Sequence, residues 1–446
     1  MDTPPRLAVD RLLDDRETRI IVCCGAGGVG KTTTAAALGV RAAGRGRKAV
    51  VLTIDPARRL AQSMGIDSLD NTPRKVATVG AGDGELHAMM LDMKRTFDEI
   101  VEAHADGERA RAILANPFYQ SLSAGFAGTQ EYMAMEKLGQ LRARDDWDLI
   151  IVDTPPSRSA LDFLDAPKRL GSFLDGKFIR VLMAPAKVGG RAGMKFLNVG
   201  MSMMTGTLSK LMGASLLKDV QTFVAAMDTM FGGFRTRADA TFRLLQAPGT
   251  AFLVVAAPEA DALREAAYFV ERLAAENMPL AGLVLNRVHG SGADQLSAER
   301  ALAAAENLEE GGIVDQESGK AGLRDSGAEA TEAIETAETA GSAETARTAH
   351  STPTTLTTRT ANTPETGSPG TEGDTAVVDR ITAGLLRLHA ERMQVIAREQ
   401  RTRDRFTSLH PEVAVAEVAA LPGDVHDLAG LRAIGERLAT GVPAGA

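Results

Sequence analysis

Residues Gly25-Ala26-Gly27-Gly28-Val29-Gly30-Lys31-Thr32 fit the pattern G-x-x-x-x-G-K-[ST], and their surroundings restrict what the chain can become. The apolar run Ile20-Ile21-Val22-Cys23-Cys24 before them reads as a buried strand, and Thr33-Thr34-Ala35-Ala36-Ala37-Leu38 after them reads as a helix. Strand, glycine loop and helix in that order form an oxyanion cradle, because glycines let backbone N–H groups turn inward and the new helix adds the positive end of its dipole. Gly25, Gly27, Gly28, Val29, Gly30 and Thr33 would then surround phosphates through their backbone. Lys31 would reach the outer phosphates as a point charge, and the Thr32 hydroxyl would face a magnesium ion. The competing reading, a glycine-rich turn that fits by accident, does not account for this context.

The rest of the chain repeats the alternation. Ala49 to Ile54 reads as a strand ending in Asp55-Pro56-Ala57, and Leu149 to Val152 as one ending in Asp153-Thr154-Pro155-Pro156. Phe252 to Ala256 runs into Ala257-Pro258-Glu259, Leu280 to Leu285 into Asn286-Arg287, and Val413 to Ala420 into Leu421-Pro422-Gly423. Continuous apolar strands separated by helices imply an α/β fold, a doubly wound parallel sheet covered on both faces. Ligands of such sheets sit at the carboxyl ends of the strands, so the polar tags converge on one pocket. Asp153 suits the acidic partner that holds magnesium or its water, and Asp55 could orient the water attacking a terminal phosphate. Either residue taken alone could equally cap a helix.

Composition narrows the function classes. The formal charge is −8, of which residues 311 to 374, with 11 acidic and 4 basic side chains, supply −7. The remainder is near neutral and carries no basic stripe, which argues against nucleic acid as a partner. Cys23 and Cys24 are the only cysteines, adjacent on a core strand, so neither a disulfide framework nor a C-x-x-C metal spacing exists and a reducing cytoplasm fits. Met1 to Arg19 lacks a signal-peptide core, and no run is long and apolar enough for a transmembrane segment. Phe196 to Leu217 is interrupted by Asn198 and Lys210.

Two stretches break the alternation. Residues 171–235 hold 8 of the 17 methionines, among them Met201, Met203, Met204 and Met212. Flexible thioethers suit a surface for varied apolar partners, although a helical core is their commoner fate. Residues 309–374 are rich in Ala, Thr, Glu, Gly and Ser and almost free of large apolar side chains, so disorder is expected. From residue 375 onward Val377, Val378, Ile381, Leu385, Leu386, Leu388 and Met393 recur at helical spacing. The chain thus divides into an N-terminal extension (1–18), a phosphate-loop domain (19–308) carrying the Met-rich helical subdomain (171–235), an acidic insert (309–374) and a stretch completing the domain (375–446).

The ordered series Gly25 to Thr33, Asp55-Pro56-Ala57, Gly128-Thr129-Gln130-Glu131, Asp153-Thr154-Pro155-Pro156, Pro258-Glu259 and Asn286-Arg287 resembles that of the anion-transporting ATPases, over about residues 18 to 308 and 376 to 440. That family includes arsenite-pump ATPases and ATPases that deliver tail-anchored membrane proteins. The resemblance implies ATP and Mg2+ as cofactors, Lys31 and Thr32 on phosphate and metal, Asp55 in a first switch and Asp153 in a second. It implies Asn286, beside Arg287, on adenine, and the loop carrying Pro422 over the ring. It also implies a dimer that opens and closes with hydrolysis, and the Met-rich segment as a groove for an apolar protein client. An alternative is a nucleotide-gated regulatory subunit with little hydrolysis of its own.

Two departures are informative. The family's loop usually carries a second lysine after its first glycine, reaching the partner's phosphates, and here that position is Ala26. Either another cation replaces it in a homodimer, or the chain forms a heterodimer with a paralogue that keeps the lysine. Thiolate sites for metalloid or zinc cannot be assembled from two neighbouring core cysteines, which argues against metalloid transport. A partitioning ATPase of the wider group would be expected to show a basic DNA-binding face or a terminal amphipathic helix, and neither is present.

Overall fold

A computed structural model describes residues 5–55, 59–77, 84–117, 119–120, 123, 129–155, 236–310 and 371–441. The Met-rich segment and residues 311–370 lie outside this set. The described chain forms two compact units, Met1–Leu296 with Arg392–Ala446, and Ser297–Glu391.

In the first unit the elements run α1 Val9–Asp14, β1 Ile20–Cys24, α2 Lys31–Gly44, β2 Lys48–Thr53, α3 Arg59–Ser63, β3 Arg74–Lys75 and β4 Glu85–Met90. They continue with α4 Met93–His104, α5 Gly107–Leu114, α6 Thr129–Arg144 and β5 Leu149–Asp153. A helix over 236–246 (α7) leads to β6 Thr250–Ala256, α8 Ala260–Ala275 and β7 Leu280–Val288. The second unit holds α9 Ala298–Glu310 and the start of α10 Thr371–Leu409, whose end belongs to the first unit, followed there by β8 Val415–Ala419 and α11 Leu428–Thr440.

The eight strands make one sheet ordered β3-β4-β2-β5-β1-β6-β7-β8. Every pairing is parallel except β3 with β4. The unbroken apolar strands have a simple physical cause: alternate residues serve separate cores. Ile20, Val22 and Cys24 of β1 join Phe252 and Val254 of β6 and Phe269 of α8 on one face. Ile21 and Cys23 join Leu253 and Val255 with Ala37 and Leu38 of α2 and Leu431 of α11 on the other. A parallel sheet buried on both sides has no polar face to display.

Strands β3 and β4 are absent from the sequence reading, because Glu85 and His87 break the apolar run and β3 is two exposed residues. The N-terminal stretch read as an extension packs into the domain instead: Leu7, Val9 and Leu13 are buried, and Leu7 donates to the Val415 carbonyl at 3.0 Å beside edge strand β8. Helices α9 and α10 also reach further into the insert than expected, to Glu310 and from Thr371. Glu309 pairs with Arg387 there. In that unit Ala383 and Ala390 are buried, whereas Ile381, Leu385 and Leu388 are exposed. Among the described residues no helix is long and apolar enough to cross a membrane.

Among the described residues Arg47 is the largest fully buried side chain, 1% exposed. Its guanidinium donates to the carbonyls of Leu13 (3.0 Å), Asp15 (3.1 Å), Thr18 (2.6 Å) and Asp148 (2.6 Å), tying the N-terminal segment to the start of β5. Burial holds its pKa below the usual arginine value. Arg47→Met strands four carbonyls, so a loss of about 3 kcal/mol is expected, visible as a lower urea midpoint with unchanged slope. An unshifted midpoint would show that water replaces the guanidinium without penalty.

Candidate functional site

The glycine loop leaves β1 and enters α2 through a sequence of backbone shapes that only glycine adopts readily. Gly25 has φ +148°, Gly28 +77° and Gly30 +96°. A Cβ on Gly25 would stand 2.0 Å from the Val255 carbonyl oxygen of β6, and one on Gly30 2.2 Å from the Asn286 side-chain nitrogen. Close approach of the loop to its neighbouring strands therefore explains these two glycines as much as their dihedrals do. Thr34 donates its N–H to the Gly30 carbonyl at 2.9 Å, which starts the helix, and Thr33 lies half-buried on the first turn. Gly27 and Gly28 are exposed at the loop crest, and Val29 is buried beneath it.

Lys31 folds back under the loop and donates to the Ala26 carbonyl at 2.8 Å. The side chain is buried, and burial pulls its pKa below the ordinary lysine value while Asp153 pulls the other way. An ammonium held this way is poorly solvated and primed for an anion. The Ala26 side chain is itself buried, in the position where the resemblance led us to look for a second lysine.

Asp153 closes β5 and is fully buried. Its Oδ2 accepts hydrogen bonds from the Thr32 hydroxyl at 2.7 Å and the Thr53 hydroxyl at 2.8 Å. Its Oδ1 is buried with no hydrogen-bond partner among the described residues. Burial raises the carboxyl pKa from 3.8 to about 6, against the lowering effect of the two threonines and Lys31. A carboxylate oxygen without a partner, beside a helix-initiating hydroxyl, is a donor set that fits a hard cation such as magnesium. The pairing Cys23 to Asp153 between β1 and β5, and Thr53 to Asp153 between β2 and β5, brings these groups together.

Asp55 lies two residues past β2, half-buried, its backbone N–H donating to the Thr53 hydroxyl at 3.2 Å. Gln130, in the third of the motifs, holds this segment by donating to the Ile54 carbonyl at 2.9 Å. Thr154 anchors the Asp153 turn through its hydroxyl to the Cys23 carbonyl at 2.9 Å. Pro56, Ala57, Gly128 and Pro156 lie outside the described residues. Gln130 and Thr154 enter the sequence reading only as members of quoted motifs and Thr53 only within the run Ala49 to Ile54; a hydroxyl ending an apolar strand one register step from Asp153 is the signal that could have found Thr53.

On the other flank Asn286 donates its side-chain N–H to the Val29 carbonyl at 2.8 Å, so β7 braces the loop. Arg287 is exposed with φ +64°. Asn286 pairs with Val418 of β8, and the exposed Pro422 follows a few residues beyond that strand. The strand ends thus bring Asn286 and the Pro422 loop to one side of the glycine loop, with Asp55 and Asp153 on the other. Gly30→Ala is expected to lower stability by about 2 kcal/mol, from the left-handed strain together with the Asn286 collision. Asn286→Ala in the same chain should restore only the part due to the collision, as read from denaturant midpoints of the double-mutant cycle.

Both cysteines are buried on β1, and burial pushes the Cys24 thiol up to about 12 and Cys23 well above its usual value. Neither supplies a thiolate.

Comparison with known proteins agrees with this geometry. A family model described as anion-transporting ATPase matches residues 18–310. Among curated proteins, ATPase GET3 of Podospora anserina is 26% identical over 298 residues, 65% of this chain and 80% of its own length. ATPase GET3 of Malassezia globosa is 30% identical over 167 residues, covering 37% and 47%. ATPase BagA of Mycobacterium tuberculosis is 28% identical over 168 residues, covering 35% and 48%. The chain spans about half the length of the latter two relatives. With a strand–loop–helix cradle, a buried lysine and a threonine–aspartate pair at the ends of one parallel sheet, and the model matched across that whole region, the chain belongs to the anion-transporting ATPase family, a family of phosphate-loop ATPases.

Proposed function

We propose that the chain binds ATP with magnesium in this pocket and hydrolyses it as one half of a dimer, the cycle opening and closing a surface for an apolar protein client. The observation that carries the nucleotide reading is the buried Asp153, with one oxygen on Thr32 and the other without a partner among the described residues. Thr32 and Asp153 would hold the metal, which offsets the negative charge of the outer phosphates when bound. The loop's inward N–H groups bind the phosphates, and Lys31 exchanges the Ala26 carbonyl for a phosphate oxygen. Asp55 orients and deprotonates the attacking water. The Asn286 side-chain nitrogen is engaged with Val29, so its oxygen is the atom that would accept from the adenine amino group, with Arg287 and the Pro422 loop flanking the ring.

Ala26 favours a second reading within the first, in which the active dimer is a heterodimer. A cation supplied in trans stabilises charge on the transferring phosphoryl group, and an alanine supplies none. This chain would then act as a nucleotide-gated subunit whose own turnover is slow until a paralogue bearing the lysine joins it. Steady-state ATPase measured alone and after mixing with such a paralogue should rise by about a thousandfold. A homodimer of this chain hydrolysing at the mixture's full rate would overturn it. The Met-rich segment remains the proposed client surface, and a reducing cytoplasm the proposed setting, in keeping with two buried thiols.

A further inference from the structure

A groove of about 390 Å³ lies between α8 and the last turns of α10, remote in kind from the phosphate pocket: its floor is apolar and its walls are cationic. Leu263 and Phe406, 3% and 4% exposed, form the floor, and Leu409 stands 66% exposed at one end. Arg264 lines the α8 side. Arg398, Arg401 and Arg405 line the α10 side, spaced three and four residues apart and therefore on one helical face.

Unlike many arginines of the described chain, those of the α10 wall end on no carboxylate. Elsewhere in the described chain Arg41, Arg45, Arg142 and Arg237 end on carboxylates. Among the described residues Arg398, Arg401 and Arg405 have no side-chain partner, and Arg264 has only the exposed Asp261 at 3.0 Å. The neighbouring carboxylates are committed to other groups: Glu399 to His289 at 2.6 Å, Glu417 to Arg403 at 2.8 Å. Like charges three and four residues apart on a helix repel one another, so this arrangement is unfavourable in the isolated chain and is relieved by an anionic occupant. Guanidinium forks, rather than ammonium groups, match carboxylates in two-point geometry.

We propose that this groove docks an acidic amphipathic helix of a partner protein. An apolar floor between two helical walls receives a helix that turns its apolar stripe inward, and cations on both walls meet acidic side chains on both flanks of that stripe. The face from residue 398 to 409 would lie along about three turns of the incoming helix, at roughly 1.5 Å per residue. A small free anion would use the arginines but leave the floor and Leu409 exposed to water.

The test uses the full chain and a fluorescein-labelled synthetic helix with leucines on one face and glutamates on both flanks, followed by anisotropy at two salt concentrations. The proposal expects saturable binding that weakens with salt, is lost when lysines replace the peptide's glutamates, and falls at least tenfold in the exposed double variant Arg401→Glu/Arg405→Glu. Mg–ATP binding and melting temperature of that variant should match the parent, which separates this site from the nucleotide pocket and from misfolding. Binding that ignores the reversal, or equal binding of the lysine peptide, overturns it. Arginine-dependent sedimentation with phosphatidylserine vesicles without peptide binding would also overturn it, in favour of a lipid surface, as would full competition by millimolar inorganic phosphate.

Discussion

Lys31→Ala is expected to lower ATP turnover by about a thousandfold, the size of effect seen when one charged or hydrogen-bonding group is taken from a developing oxyanion. The side chain is positioned for that role before nucleotide arrives, buried and bonded to Ala26 at 2.8 Å. Its removal should change stability little, because two effects oppose. The Ala26 carbonyl loses its donor, at about 1–3 kcal/mol, while a charge that burial disfavours is no longer forced into the protein. Turnover by phosphate release, calorimetry with Mg–ATP and a thermal melt together check this. A variant that melts like the parent and still turns over ATP at the parental rate would remove Lys31 from the chemistry.

Asp153→Asn should act in opposite directions on catalysis and on stability. Turnover is expected to fall by a similar factor, about a thousandfold, since the amide cannot supply the anionic ligand. Nucleotide-free stability at neutral pH should rise. In the folded chain the carboxyl titrates near 6, above the unfolded 3.8, so between these values the native state holds the proton more tightly. Stability from this group is complete below about pH 4 and is lost as pH rises through 6. The difference is about 3 kcal/mol at neutral pH, at 1.36 kcal/mol for each unit. Asparagine resembles the protonated acid at every pH and should abolish that slope. Melts of both chains in EDTA from pH 4 to 8 should diverge as pH rises, the variant above. Parallel curves would show that the carboxylate is not penalised by its burial.

Much of this arrangement was legible because parallel sheets write themselves plainly in sequence. Both faces of β1, β2, β5, β6 and β7 are buried, so their residues are apolar without alternation, and the first polar residue after each marks the carboxyl end. That rule points to Asp55, Asp153 and Asn286; in the structure Asp153 accepts from Thr32, Asn286 donates to Val29 of the glycine loop, and Asp55 is held beside Thr53. What stayed hidden were interactions whose partners are distant in the chain. Arg47 sits in Gly44-Arg45-Gly46-Arg47, which reads as a basic surface turn, and only the convergence of four carbonyls from two distant segments makes its burial tolerable. The N-terminal helix α1 is six residues long, too short for periodicity to announce that it covers a core. Asn286 was assigned to the base alone, whereas its side-chain nitrogen supports Val29, a backbone atom no spacing rule points to.

Helix α2, which begins with Lys31, is roofed by α11: Gly435 stands so near that a Cβ there would come within 3.3 Å of the Ala37 carbonyl. Leu431 and Ile434 share the core of that face with Ala37 and Leu38. During synthesis α2 emerges long before α11, so its alanine-rich flank waits without its cover while most of the chain is still being made. A ribosome-bound nascent chain should therefore hold the cradle in an adhesive, chaperone-binding form, and competence for nucleotide should arrive in a single late step as α11 clears the exit tunnel.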